Sequence, residues 1–155
     1  MNRSLESALR FINLTASGLL AGSLGFGEAA LVPGWQDERP RNAAQPASVD
    51  GRYFNAIGPV ALASAVALAV ASRGNGAVRK VLDGASAVGL AGVLAATALV
   101  TVPINRELDA QPASDYPSAR SKSLTRNWSL AHSLRTTLGV SAFVCAVASN
   151  FARKA

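Results

Sequence analysis

The chain has little of the material from which soluble sites are usually built. Its 155 residues include one cysteine, one histidine and one methionine, and only 6% are aromatic. The lone Cys145 excludes an internal disulfide, and one Cys with one His excludes a zinc-ligand spacing. Charge is missing in a more informative way. No charged side chain occurs from Phe11 to Gly27, from Tyr53 to Ser72, from Gly84 to Asn105 or from Thr136 to Ala152. Each gap is about the length a helix needs to cross roughly 30 Å of hydrocarbon at about 1.5 Å per residue. A soluble Ala-rich helical bundle would keep a charged face with an amphipathic period. These four runs have none.

What is present is mostly small and apolar: half of the residues are hydrophobic, chiefly Ala, Val and Leu, and 13 are Gly. The pattern predicts an all-α, single-domain protein, a four-helix transmembrane bundle running up-down-up-down. The expected spans are 10–32, 53–72, 81–104 and 128–151. Val32-Pro33-Gly34 should stop the first, since Pro lacks an N–H and Gly tolerates left-handed backbone. A polar loop, Trp35 to Arg52, then carries Pro40 and Pro46. Pro59 is expected in the first turns of the second span, where a missing donor costs least. A short connection over 73–80 reverses the chain, and Val102-Pro103-Ile104-Asn105-Arg106 closes the third span. A second polar loop, Glu107 to Arg126, contains Pro112 and Pro117. The uncharged part of the last run is short by itself, so His132 and Arg135 are expected inside the fourth membrane-spanning helix. Arg3 and Arg10 ahead of an apolar run also resemble a signal peptide. The run is long for one and lacks a small-x-small cleavage site, so an uncleaved first span is expected.

The net charge of +6 does not point to nucleic acid, because the basic residues sit at helix ends and in loops without interleaved aromatics. Basic flanks of membrane spans account for it, with the lipid bilayer as the partner. Arg3, Arg10, Arg73, Arg79, Lys80, Arg153 and Lys154 fall on one side. The two long loops carry as many, over about twice the length and offset by acids, so both termini are expected in the cytoplasm. Oligomeric state is not readable.

Small residues predict how the spans pack. Gly18, Gly22, Gly25 and Ala29 form one stripe of the first span, and Ala85, Gly89, Gly92 and Ala96 repeat the spacing in the third. Such stripes let backbones approach closely in lipid. No strand precedes these glycines and no phosphate-loop pattern is present, so an organic cofactor has no motif here.

Polar groups inside a span are expensive and mark candidate sites. Glu28 lies near the end of the first span, Asn105 and Arg106 at the end of the third, and Tyr53, Phe54 and Asn55 at the start of the second. Trp128, His132 and Arg135 share one face of the fourth. In an antiparallel bundle all of these converge at one level, away from the termini. The structural reading of the same residues is interfacial anchoring by Trp128, with Glu28 neutralising Arg135. Asp83, beside Arg79 and Lys80, reads as an ordinary charge at a helix start.

The sequence Val102-Pro-Ile-Asn-Arg106 closing one span, with Trp128-x-x-x-His132-x-x-Arg135 opening the next, resembles the anthrone-oxygenase-like family of small membrane proteins. The four-span layout and Gly-rich first span fit as well. The resemblance implies a four-helix membrane bundle and, as in the characterised fungal members, oxidation of an anthrone or polycyclic phenol to a quinone with O2. For that chemistry His132 would be the base. Arg135 and Asn105 would stabilise an oxyanion. Trp128, with Tyr53 or Phe54, would stack on a flat substrate, with Glu28 and Arg106 lining the same end. Glu28 and His132 are the two candidate ligands should a metal be needed. The competing expectation is a non-catalytic membrane subunit or small-molecule binder whose polar cluster fixes helix register.

Overall fold

A computed structural model describes residues 3–33, 44–71, 76–111 and 118–152. The expected features at Gly34, Trp35 to Arg41, 72–75, Pro112 and Pro117 lie outside them. Among the described residues there is no strand, and four long helices make up the fold. Helix α1 is Arg3–Phe26 and continues through a wide π-helical turn, Gly27–Leu31. Helix α2 is Ala44–Ala71. Helix α3 is Ala77–Asp109, interrupted by a second wide turn at Thr97–Thr101. Helix α4 is Ala119–Phe151.

The helices form a ring in which each packs on two neighbours: α1 on α2 and α4, and α3 on α2 and α4. Contacts run antiparallel. Asn13 and Tyr53 link α1 to α2 at Ala61 and Leu19, respectively, and Gly89 of α3 meets Ala142 of α4.

Three helices are long and apolar enough to cross a membrane: Arg52–Ala71, Ala77–Asp109 and Ala119–Phe151. The apolar run of α1 is diluted by Asn13, Thr15, Ser17 and Ser23, of which Asn13 and Ser17 are buried. The burial pattern is inverted relative to a water-soluble bundle. Phe11, Leu19, Phe26, Val88, Leu99 and Phe151 are exposed, whereas Arg10, Asp83, His132 and Arg135 are buried. Water would favour the opposite arrangement, and an exterior this apolar fits a lipid bilayer. Several hydroxyls are satisfied within their own helices: Ser17, Ser64, Thr97 and Ser129 donate to carbonyls one turn back.

Between the two polar ends lies a small-residue core of Leu20, Leu24, Leu90 and Val93 packed with Ala16, Ala61, Ala65 and Ala142.

Several boundaries differ from expectation. Helix α2 begins at Ala44, so Pro59 lies in its interior rather than its first turns. Its missing N–H leaves the carbonyl of Asn55 without its usual donor, a cost tolerated where neighbouring helices compensate. Helix α4 begins at Ala119, because Ser118 and Ser121 form a reciprocal capping box at 2.9 and 3.0 Å. The second polar loop is therefore shorter than 107–126.

Of the two small-residue stripes, the α3 one packs through its two glycines, while its first member, Ala85, is exposed. A side chain on Gly89 would meet Ala142 Cβ at 3.0 Å and the Leu138 carbonyl at 3.1 Å, and one on Gly92 would meet Leu138 at 3.0 Å. In α1, a side chain on Gly18 would meet Phe143 at 3.1 Å, but one on Gly22 or Gly25 would meet no neighbouring element within 4 Å of its Cβ. The α1 stripe is corrected accordingly: spacing fixes a common face, not what that face meets.

Candidate functional site

Helix α4 carries the centre of the site. Trp128, His132 and Arg135 follow at helical spacing and point between α1 and α3, the two helices that flank α4. His132 and Arg135 are buried, at 5% and 4% exposure. Both flanking helices widen at this level. In α1, Val32 N–H donates to the Gly27 carbonyl, and in α3, Val102 N–H donates to the Thr97 carbonyl. These are bonds to the fifth residue back, the mark of a π turn, which recurs at functional sites. Each turn ends two residues before a proline, Pro33 or Pro103. Neither proline can donate to the carbonyl one α-helical turn back, so a locally different bonding pattern costs less there.

The first wide turn faces His132. Its Nε2 lies 3.2 Å from the Leu24 carbonyl. A carbonyl only accepts, so Nε2 must bear the proton, and in the neutral ring the lone pair is on Nδ1. Nδ1 is buried and has no hydrogen-bond partner among the described residues. Trp128 stacks on the imidazole, with centroids 5.0 Å apart and planes 8° from parallel. Glu28 Oε1 accepts from Ser133 Oγ at 2.6 Å, and its Oε2 approaches His132 Nε2 at 3.9 Å. Thr136 Oγ1 also donates to the Leu24 carbonyl, at 3.3 Å.

The second wide turn faces Arg135. Its Nη1 donates to Thr101 Oγ1 at 3.1 Å, and the guanidinium carbon sits 5.7 Å from the Phe54 ring centroid. Its Nε has no hydrogen-bond partner among the described residues. No ion pair joins Glu28 to Arg135. The expected neutralisation across the bundle is thus replaced by contacts of Glu28 with Ser133 and His132. Arg135 is a buried cation held by a neutral hydroxyl and an aromatic face.

The expected site residues sort by these contacts. Glu28, Phe54, Trp128, His132 and Arg135 come together. Tyr53 packs edge-on against Phe54, but its hydroxyl donates to the Leu19 carbonyl at 3.2 Å. Asn105 and Arg106 form no hydrogen bond with His132 or Arg135, and Arg106 is exposed. Glu28 and His132, the two candidate metal ligands, are neighbours. No third His, Cys, Asp or Glu joins them among the described residues.

Sequence reading missed Gly27, Thr101 and the Leu24 carbonyl. The repeated Val-Pro at 32–33 and 102–103 is the signal that could have flagged the two wide turns.

A second polar cluster, also missed, occupies the opposite end. Arg10 binds Asp83 through both terminal nitrogens at 3.2 and 3.4 Å, Ser149 at 3.2 Å and Glu6 at 3.2 Å. Arg79 pairs with Glu6 at 3.2 Å, and Ser149 Oγ donates to Asp83. Asp83 is 3% exposed. It is an interhelical ion-pair partner rather than a plain helix-start charge.

No curated protein and no solved structure matches the chain. The sequence profile of the anthrone oxygenase family matches residues 48–145, which include Phe54, Thr101, Trp128, His132 and Arg135. With more than half of its length matched, this helical membrane protein belongs to the anthrone oxygenase family.

Proposed function

We propose that the chain oxidises a flat polycyclic phenol or anthrone to a quinone with O2, at the cluster around His132. The observation that carries this reading is the pairing of opposite deficiencies on one helix face. Among the described residues, His132 has a buried basic nitrogen with no hydrogen-bond partner, and Arg135, one turn on, is a buried cation with no acidic partner. A base and an uncompensated positive charge side by side suit a substrate that loses a proton and becomes an anion.

For an anthrone the sequence is as follows. His132 Nδ1 takes a proton from the ring methylene, and the electron pair delocalises onto the carbonyl oxygen, where Arg135 stabilises the oxyanion. The electron-rich enolate gives electrons to O2, and a carbon–oxygen bond forms. Cleavage of the O–O bond with loss of the remaining methylene hydrogen releases water and leaves the quinone. One anthrone and one O2 yield one quinone and one water. Phe54 and Trp128 supply aromatic surface for a flat substrate, although one face of Trp128 is already spent on His132. Asn105, one turn beyond Thr101 on α3, makes no hydrogen bond to the cluster and has no assigned role in this proposal.

The test is oxygen uptake by protein purified in detergent, with an anthrone as substrate and quinone absorbance as the second readout. The reading expects uptake and quinone in equal amounts, both lost in His132→Ala. Tight binding of the anthrone without uptake would favour the non-catalytic binder instead. We further propose that both termini are cytoplasmic. Arg10 and Arg79, counted for that orientation, are ion-paired with Glu6 and Asp83, so Lys80 and the flanking basic residues carry it. A C-terminal epitope should resist protease in intact cells, and its digestion there would reverse the orientation.

A further inference from the structure

We propose that Gly27 is a positioning residue of His132, and that with the Leu24 carbonyl it selects which imidazole nitrogen is basic. The inference rests on the oxygenase reading for its consequence, but not for its geometry.

Helix α1 presses backbone, not side chain, against the imidazole. A Cβ placed on Gly27 would lie 2.8 Å from His132 Nε2 and 2.9 Å from Cε1, closer than such atoms approach one another. Only a residue without a side chain leaves room for the ring at this height. The room lies where the helix changes from α to π bonding, at the first residue of the Gly27–Leu31 turn. The Leu24 carbonyl, one turn before Gly27, accepts from two side chains, His132 and Thr136. One element therefore supplies both the space for the ring and the acceptor that fixes its proton on Nε2. The consequence appears on the other side of the ring, where Nδ1 keeps its lone pair and has no hydrogen-bond partner among the described residues.

Chemically this decides the direction of proton transfer. A ring protonated on Nδ1 would present its basic nitrogen to the Leu24 carbonyl, two acceptors facing each other, and would offer substrate no base. Helix α1 before residue 48 lies outside the family match, so this chain draws its tautomer control from a segment separate from the matched core.

The chain has one histidine, so nitrogen-15 NMR of the imidazole in tag-free, detergent-purified protein reports His132 without assignment. At neutral pH the wild type should show protonated Nε2 and unprotonated Nδ1. Gly27→Ala should populate the other tautomer and lower turnover at least tenfold. It should still fold, because the colliding atoms belong to a ring that ends a side chain and can move. Gly22→Ala, with nothing within 4 Å, should give the wild-type spectrum and controls for adding a methyl to α1. A wild-type ring protonated on Nδ1 would overturn the proposal, as would an unchanged tautomer in folded Gly27→Ala. Should Gly27→Ala fail to fold, the wild-type spectrum decides alone. A wild type inactive towards anthrones would count against the oxygenase reading, and the spectra would still decide the role of Gly27.

Discussion

The two polar ends of the bundle use similar residues to opposite effect. At the end near the chain termini, Arg10, Arg79, Glu6 and Asp83 bring two positive and two negative charges together, with Ser149 completing the coordination. At the other end, Arg135 and His132 are equally buried; among the described residues Arg135 is held by a hydroxyl and an aromatic ring, and Glu28 binds a serine and only approaches His132, at 3.9 Å. Burying charge is costly unless it is paired and hydrogen-bonded. The first end is closed in net charge and ties three helices together, although Arg79 Nε has no hydrogen-bond partner among the described residues. The second retains unmet capacity on Glu28 Oε2, His132 Nδ1 and Arg135 Nε, which a ligand can supply. Burial of a charge therefore does not by itself mark a site. The ends differ in charge balance: Arg10 and Arg79 have carboxylate partners, and among the described residues Arg135 has none.

That contrast predicts effects that separate by end. The largest should be His132→Ala. Loss of a general base typically costs about 10²–10⁴-fold in turnover, here with folded protein retained, as read by oxygen uptake per folded molecule. Equal activity in the variant would remove His132 from the chemistry.

At the closed end Asp83→Ala should act the other way. Leaving Arg10 and Arg79 to share the one carboxylate of Glu6 should destabilise the bundle by up to about 3–5 kcal/mol, seen in thermal unfolding in detergent, while turnover per folded molecule stays unchanged. The sharper version replaces both partners: Arg10→Met with Asp83→Leu should recover most of that loss, since no charge is then left unpaired. If the double variant is as unstable as the single one, the cluster does more than balance charge.

A smaller effect tests the packing between the ends. Gly89→Leu should cost about 1–3 kcal/mol by overpacking against Leu138 and Ala142. Gly22→Leu, on the open face, should be nearly silent in the same unfolding assay. Equal losses would restore the α1 stripe as a seam.

The smallest effect belongs to the surface. Glu107 and Arg120 pair at 2.6 Å with side chains 44% and 64% exposed. Glu107→Gln should change stability by no more than about 1 kcal/mol. A large loss would mean that the link between α3 and α4 is not the ordinary surface pair it resembles.

The sequence alone determined the all-helical architecture and the membrane character. Gaps without charge and the span-length limit are properties of one segment at a time. The same one-dimensional argument placed His132 and Arg135 inside a helix, because the uncharged run after Arg135 is too short by itself. Helical periodicity also put Trp128, His132 and Arg135 on one face. Tertiary structure decided what those faces meet. Gly89 and Gly22 share a motif, yet only Gly89 is packed. Asp83 reads as a solvated helix start, yet it is buried against Arg10 from a helix distant in sequence. Glu28 has a serine partner rather than the expected arginine. The two wide turns, which bring Thr101 and the Leu24 carbonyl within reach of α4, also depend on the fold. Periodicity fixes the order of residues around one helix. The rotation and register of that helix against its neighbours come from the sum of contacts over the whole bundle, and those decide which polar groups are paired and which are left for a ligand.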